Sequence, residues 1–249
     1  MTGDNPNNKW IGKRTIRPDG ADKVTGRAAY SADAKMPGML WGRILRSPHP
    51  HARIRHIDTS AASRLPGVQA VLTHENAQVV WGAGAVAGGR QYSDAIKATT
   101  VQRRYIFNNP VRCVGDAVAA VAATDRHLAE QALALIRVDY EVLPFVLEPE
   151  AALAADAPLI WPEGNLCLDV HNNAAPVVSE HGDIAAGFAA ADQVFAQRYD
   201  TGFVHNAQLE PRCALAHWQG ETLTLYPPSQ GIANCRHDMA RDLGLEDQQ

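Results

Sequence analysis

The densest run of side chains able to do chemistry is Phe203-Val-His205-Asn206-Ala-Gln208-Leu-Glu210-Pro211, which holds an imidazole, two carboxamides and a carboxylate. In an extended chain alternate side chains share a face. Asn206, Gln208 and Glu210 then form one polar row, with His205 on the other side beside Ala207. Such a row is costly to bury unless something polar occupies the space in front of it. Two readings follow: the edge of a ligand pocket, or a hydrogen-bond network satisfied at a strand end. Glu210, between Leu209 and Pro211, is also placed to hold backbone N–H groups.

Other motifs carry less. Gly82-Ala-Gly84-Ala-Val-Ala-Gly88-Gly89 departs from G-x-G-x-x-G in spacing and lacks the Lys-Ser or Lys-Thr of a phosphate loop, so it reads as a loop. His49-Pro-His51 offers two imidazoles with no third ligand nearby in sequence, and reads as a turn closing a hairpin. Cys113, Cys167, Cys213 and Cys235 are dispersed, with no C-x-x-C pair, so neither a disulfide framework nor an iron–sulfur site is indicated. The chain contains no Gly-x-Ser-x-Gly elbow and no His-Glu-x-x-His.

The elements that must position these residues are read from periodicity. Arg27–Tyr30, Leu40–Leu45, Ala52–Ile57 and Val68–Leu72 predict strands, with a short helix over Ala61–Leu65 ended by Pro66-Gly67. The continuous apolar run ending at Ala123 predicts a strand covered on both faces. Thr124-Asp125 caps a helix over Arg126–Arg137, and Val138–Val142 returns as a strand stopped by Pro144. A connector over Glu148–Pro162 marks a domain boundary. Beyond it lie a short Ala-rich helix after Gly182-Asp183 and an alternating strand from Val194. A hairpin follows, with strands Cys213–Trp218 and Glu221–Tyr226 around Gln219-Gly220, then a helix over Ser229–Leu243 closed by Gly244. No strand follows that helix, so the final domain reads as incomplete.

Composition sets the outer bounds. The chain has 249 residues, 46% hydrophobic, with a formal charge of −4. That is enough for a core without staples and excludes a disordered or collagen-like chain. The balance argues against nucleic acid as partner, which needs a dense cationic face. The longest apolar run, Ala117–Ala123, is far short of the roughly 20 residues of a membrane span. The polar start lacks a secretory signal, and a cytoplasmic location is expected.

Several segments together resemble the molybdenum-binding large subunit of the xanthine dehydrogenase and aldehyde oxidase family. They are Asp19-Gly20-Ala-Asp-Lys23-Val-Thr-Gly26 through Asp33; Leu40-Trp-Gly-Arg through Arg46-Ser-Pro48-His-Pro-His51; Val114-Gly115-Asp116 through Val121; Ile136-Arg-Val-Asp-Tyr140 through Pro144; Leu209-Glu210-Pro211; and Pro228-Ser229-Gln230-Gly231. The resemblance implies an α+β protein. An α/β hammerhead domain with an N-terminal extension takes residues 1–150, and the first part of a molybdopterin-binding domain takes residues 160–249.

It also implies an oxidoreductase that uses molybdenum–molybdopterin, bound mainly by segments not in these residues, to oxidise an aldehyde, N-heterocycle or other electron-poor carbon with water-derived oxygen. Electrons would pass to iron–sulfur clusters and FAD on an iron–sulfur subunit and a flavin subunit. Further partners would be the remainder of the molybdenum-binding subunit and a small-molecule substrate. The glutamate base lies beyond residue 249, so no catalytic residue is assigned. His205, Asn206, Gln208 and Glu210 are the cofactor- or substrate-proximal candidates, with Val204 where better-known members carry Gln. The isolated chain is expected to be inactive. The alternative is a non-catalytic assembly module that keeps the hammerhead surface.

Overall fold

In a computed structural model of the chain, residues 14–77, 80–81, 104–161, 164–166, 168–169, 175–176, 181–208 and 210–249 are described. The Gly82–Gly89 run and Cys167 lie outside them. The chain divides into two compact units: Met1–Met36 with Val204–Gln230, and Pro37–Phe203 with Gly231–Gln249.

The larger unit contains strands β1 (Trp41–Arg46), β2 (Ala52–Asp58), β3 (Val68–Thr73), β4 (Ala117–Ala123) and β5 (Arg137–Val142), with helix α1 (Arg126–Leu135) packed against β1, β3 and β4. They make two antiparallel sheets: β1-β4-β3, and β2-β5. The central strand β4 is mostly alanine, a poor strand former. Its place comes from packing, because small side chains let a helix approach closely. Ala119, Val121 and Ala123 are at most 1% exposed, and Ala129 and Ala132 of α1 join them in the core. Ala120 and Ala122 are only half-buried, so β4 is fully covered on one face and partly on the other, not on both as expected.

Asp125 caps α1, its carboxylate accepting the N–H groups of His127 (2.8 Å) and Leu128 (3.2 Å). The helix ends at Leu135, two residues earlier than expected, because Arg137 enters the ladder opposite Asp58. A bulge between Ile54 and His56 switches the parity of β2. Ala52 and Ile54 face the core before it and Ile57 after it, leaving His56 exposed. Arg53 and Arg55 meet Glu141 on the outer face at 3.5 and 2.7 Å. After α1 and β5, the same unit holds α2 (Ile184–Ala190), capped by Asp183, and α3 (Ile232–Leu243). Gly244 ends α3 at φ +69°, and the Leu245 N–H donates to the Ala240 carbonyl at 2.8 Å, the bond of a Schellman turn.

Three further sequence expectations are corrected here. Arg27–Tyr30 is not a strand: the N–H groups of Arg27 and Ala28 close back onto the Asp22 carbonyl, and Ser31–Asp33 forms a 3-10 turn. Residues 194–208 join no sheet, although their pattern alternates; alternation supplies two faces but no partner ladder. In the smaller unit β6 (Leu215–Gln219) pairs with β7 (Thr222–Tyr226), and the turn is Gly220-Glu221, one residue later than expected. Gly220 sits at φ +61°, which a tight hairpin needs at its first central position.

Candidate functional site

The smaller unit holds all four candidate side chains, and it fixes only one of them firmly. The segment from Asp19 to Asp33 folds by local closures. Arg17 and Lys23 pair with Asp19, and these partners, Arg17 first, hold the Asp19 carboxyl well below the usual carboxylate range. Asp33 then accepts the Tyr30 N–H at 2.9 Å. This presents Ser31 with a free N–H, since the first residues of a helical turn have no internal acceptor. Glu210 supplies the acceptor: its Oε1 takes the Ser31 N–H at 3.3 Å and the Ser31 hydroxyl at 3.4 Å. The carboxylate is half-buried. It is thus committed to holding backbone.

The residues just before Glu210 are arranged differently. Ala207 adopts φ +44°, a left-handed conformation that costs a non-glycine residue energy. This turn ends the period of two, so Asn206, Gln208 and Glu210 do not form the expected single row. The Ala207 N–H donates to His205 Nδ1 at 2.9 Å. With Nδ1 as acceptor, the neutral ring carries its proton on Nε2. Asn206 and Gln208 are exposed and have no hydrogen-bond partner among the described residues. Their amide donors and acceptors remain open to a bound molecule. Val204 is exposed beside them.

The two histidines of His49-Pro-His51 have structural roles in the larger unit. His51, 6% exposed, donates from Nδ1 to the Pro144 carbonyl at 2.8 Å, and His49 packs edge-on against Tyr140. The segment also does not close a hairpin, because β1 and β2 belong to different sheets. No group of three or more His, Cys, Asp or Glu side chains placed to ligate an ion occurs among the described residues.

Two positioning residues escaped the sequence reading. Ser31 is one; the signal was available, since Ser31 and Glu210 lie in two of the segments that carry the family resemblance. Asn109 is the other. Its amide accepts the Ile54 N–H and donates to the Ile54 carbonyl, at 2.9 and 3.0 Å, imitating a neighbouring strand beside the bulge. Nothing in local periodicity marks such a clamp.

Comparison with known proteins agrees with this architecture. Residues 25–144 match the aldehyde oxidase and xanthine dehydrogenase a/b hammerhead domain, and residues 169–249 match the molybdopterin cofactor-binding domain. The chain is 35% identical over 227 residues to a probable xanthine dehydrogenase subunit of Bacillus subtilis, covering 91% of this chain and 28% of that protein. It is 31% identical over 236 residues to the nicotinate dehydrogenase large molybdopterin subunit of Eubacterium barkeri, covering 94% of this chain and 51% of that one. Among solved structures, quinoline 2-oxidoreductase from Pseudomonas putida superposes with a TM-score of 0.74 at 30% identity, over 95% of this chain and 29% of that chain. The chain therefore spans between about a quarter and a half of the length of these relatives. With its hammerhead followed by the start of a molybdopterin-binding domain, it belongs to the xanthine dehydrogenase and aldehyde oxidase family, as an N-terminal portion of the molybdenum-binding large subunit.

Proposed function

We propose that the chain works as part of the large subunit of a molybdenum hydroxylase, oxidising an aldehyde, an N-heterocycle or another electron-poor carbon within a complex that includes an iron–sulfur subunit and a flavin subunit. The observation that carries this reading is the pair of exposed carboxamides, Asn206 and Gln208, which have no hydrogen-bond partner among the described residues, close in sequence to the anchored Glu210. When bound, a molybdopterin-held molybdenum supplies a two-electron oxidation at carbon with water as oxygen source.

The residues present fit the polar edge of such a group rather than its enclosure. Asn206 and Gln208 offer N–H donors and carbonyl acceptors to the pterin or to a heterocyclic substrate. His205 adds an Nε2–H donor. Glu210 contributes through position: by holding Ser31 it anchors the chain two residues after Gln208. The functional division at residues 1–150 and 160–249 and a cytoplasmic location belong to the same proposal. The division is supported by the main core cluster, which lies wholly between Leu45 and Tyr140.

A second reading, a non-catalytic assembly module, is favoured by the exposed aromatic side chains of Phe195, Tyr199 and Phe203. One experiment separates the two. The chain is co-expressed with the rest of the large subunit and with the iron–sulfur and flavin subunits, and the complex is assayed for molybdenum and for hydroxylation of aldehyde and N-heterocycle panels. Stoichiometric molybdenum with turnover supports the hydroxylase. An assembled complex without either establishes the assembly module.

A further inference from the structure

The connector that leaves β5 buries very little. Leu147, Leu153 and Leu159 are 74, 63 and 58% exposed, and none of residues 143–161 is fully buried. Apolar packing therefore contributes little to holding it, yet it is tied to the hammerhead domain at both ends. At the near end the buried His51 donates from Nδ1 to the Pro144 carbonyl at 2.8 Å, and the Leu143 N–H donates to the His51 carbonyl at 2.9 Å. At the far end the Arg112 guanidinium donates from Nε to the Ile160 carbonyl at 3.0 Å and lies over the Trp161 ring, 3.9 Å from its centroid. Between these ties the connector closes on itself. The Asn165 carboxamide donates to the Ala152 and Pro158 carbonyls, both at 3.0 Å, and accepts the Ile160 N–H at 2.9 Å, so three points of the loop converge on one side chain. Arg112 stands on a firm base. Val111 is fully buried and exchanges both main-chain hydrogen bonds with Ala52; the Arg112 N–H donates to Asp116 Oδ2 at 2.7 Å, and Nη1 donates to the Pro110 carbonyl at 3.1 Å.

We propose that Arg112 is the latch of a strap: residues 143–161, closed by Asn165, are hinged at His51 and held shut on the hammerhead domain by the contacts of Arg112 with Ile160 and Trp161. Chemistry argues for a latch rather than a seam. The far tie is made by one side chain, which spans from the Pro110 carbonyl of its own loop to the Ile160 carbonyl of the strap while lying on an indole face. Only a planar guanidinium does all three at once; an ammonium is a point charge without the fork. The latch acts by position. The molybdopterin cofactor-binding match begins at residue 169, four positions after Asn165, so a closed latch fixes the point at which the chain enters that domain. The strap also meets that domain's chain, since Glu150 pairs with Arg198 at 3.2 Å. The inference goes beyond the hydroxylase reading and does not depend on it, because none of the latch residues belongs to the 205–210 segment.

The test is amide hydrogen exchange together with the melting temperature, on the full 249-residue chain and its Arg112→Ala and Arg112→Lys variants. In Arg112→Ala the Ile160 amide should exchange at least about tenfold faster than in the parent, because the loop closed by Asn165 has no fully buried side chain to sustain it once unlatched. The amides of Val111 and β4 and the melting temperature should stay as in the parent, since the backbone N–H of residue 112 keeps its bond to Asp116 whatever the side chain. Arg112→Lys should behave like Arg112→Ala. An Ile160 amide that exchanges equally in the parent and in Arg112→Ala overturns the proposal, whether both are fast or both slow. So does faster exchange that spreads through β4 with a lower melting temperature, which would make Arg112 a support of the hammerhead core. A parent-like Ile160 rate in Arg112→Lys also overturns it, because charge alone would then hold the strap.

Discussion

The Glu210 carboxylate accepts both the backbone N–H and the hydroxyl of Ser31, at 3.3 and 3.4 Å, across 179 positions of chain. One oxygen thereby joins two segments of the smaller unit that carry the family resemblance. Bonds to a charged acceptor are worth more than neutral ones, but these are long and only half-buried. Glu210→Gln should therefore cost about 1 kcal/mol of stability, and Ser31→Ala less, since the N–H contact survives. Urea denaturation of both variants and the double variant gives the coupling. Additive losses would show that the two residues do not act on each other.

Gly67 and Gly115 both lie at positive φ, +93° and +96°, yet only one is enclosed. A Cβ on Gly67 would stand 2.7 Å from Leu128 Cδ2 and from Thr124 Oγ1, whereas nothing lies within 4 Å of the corresponding position at Gly115. Gly115→Ala should then cost only the left-handed backbone strain, about 1–2 kcal/mol. Gly67→Ala adds displacement of the start of α1 from β3 and should lose clearly more. Equal midpoint shifts in denaturation would mean that the space around Gly67 relaxes freely.

The Asp125 cap predicts an acid-side signature. The N–H groups of Leu128 and then His127 hold its carboxyl below the ordinary aspartate value. A carboxyl depressed in the folded state contributes stability that is fully present above its unfolded pKa and is lost as pH falls through the folded one. Asp125→Ala should lower the melting temperature at pH 7. The gap to the parent should persist down to about pH 4 and close below it. A gap independent of pH across that range would assign the effect to helix propensity rather than to the charged cap.

Asn206→Ala and Gln208→Ala should behave oppositely to Glu210→Gln. Both side chains are exposed and unpartnered among the described residues, so the melting temperature should not move. In the assembled, molybdenum-loaded complex each substitution should lower kcat/KM severalfold to tenfold, the scale of one hydrogen bond of about 1 kcal/mol or slightly more. Unchanged turnover in both variants removes this segment from the active site.

What could be read before folding was what neighbouring residues decide among themselves. The Asp125 cap, the apolar spacing of Leu128 and Ala132, the closing Gly244 and the strand Val138–Val142 all showed in sequence, because caps, turns and periods act over a few residues. The family resemblance was legible for a related reason: its motifs are short and contiguous. What only the tertiary structure decided depends on partners far away in the chain. The bulge at Ile54–His56, which buries Ile57 instead of His56, follows from pairing with β5 and from the Asn109 clamp, more than 50 residues distant in each case. The separation of β1 and β2 into different sheets is set by β4 and β5. The alternating run at 194–203 shows the limit most directly. Its period of two is inscribed in the residues, but a strand exists only when a second backbone supplies the hydrogen bonds, and no residue's own side chain can specify that neighbour.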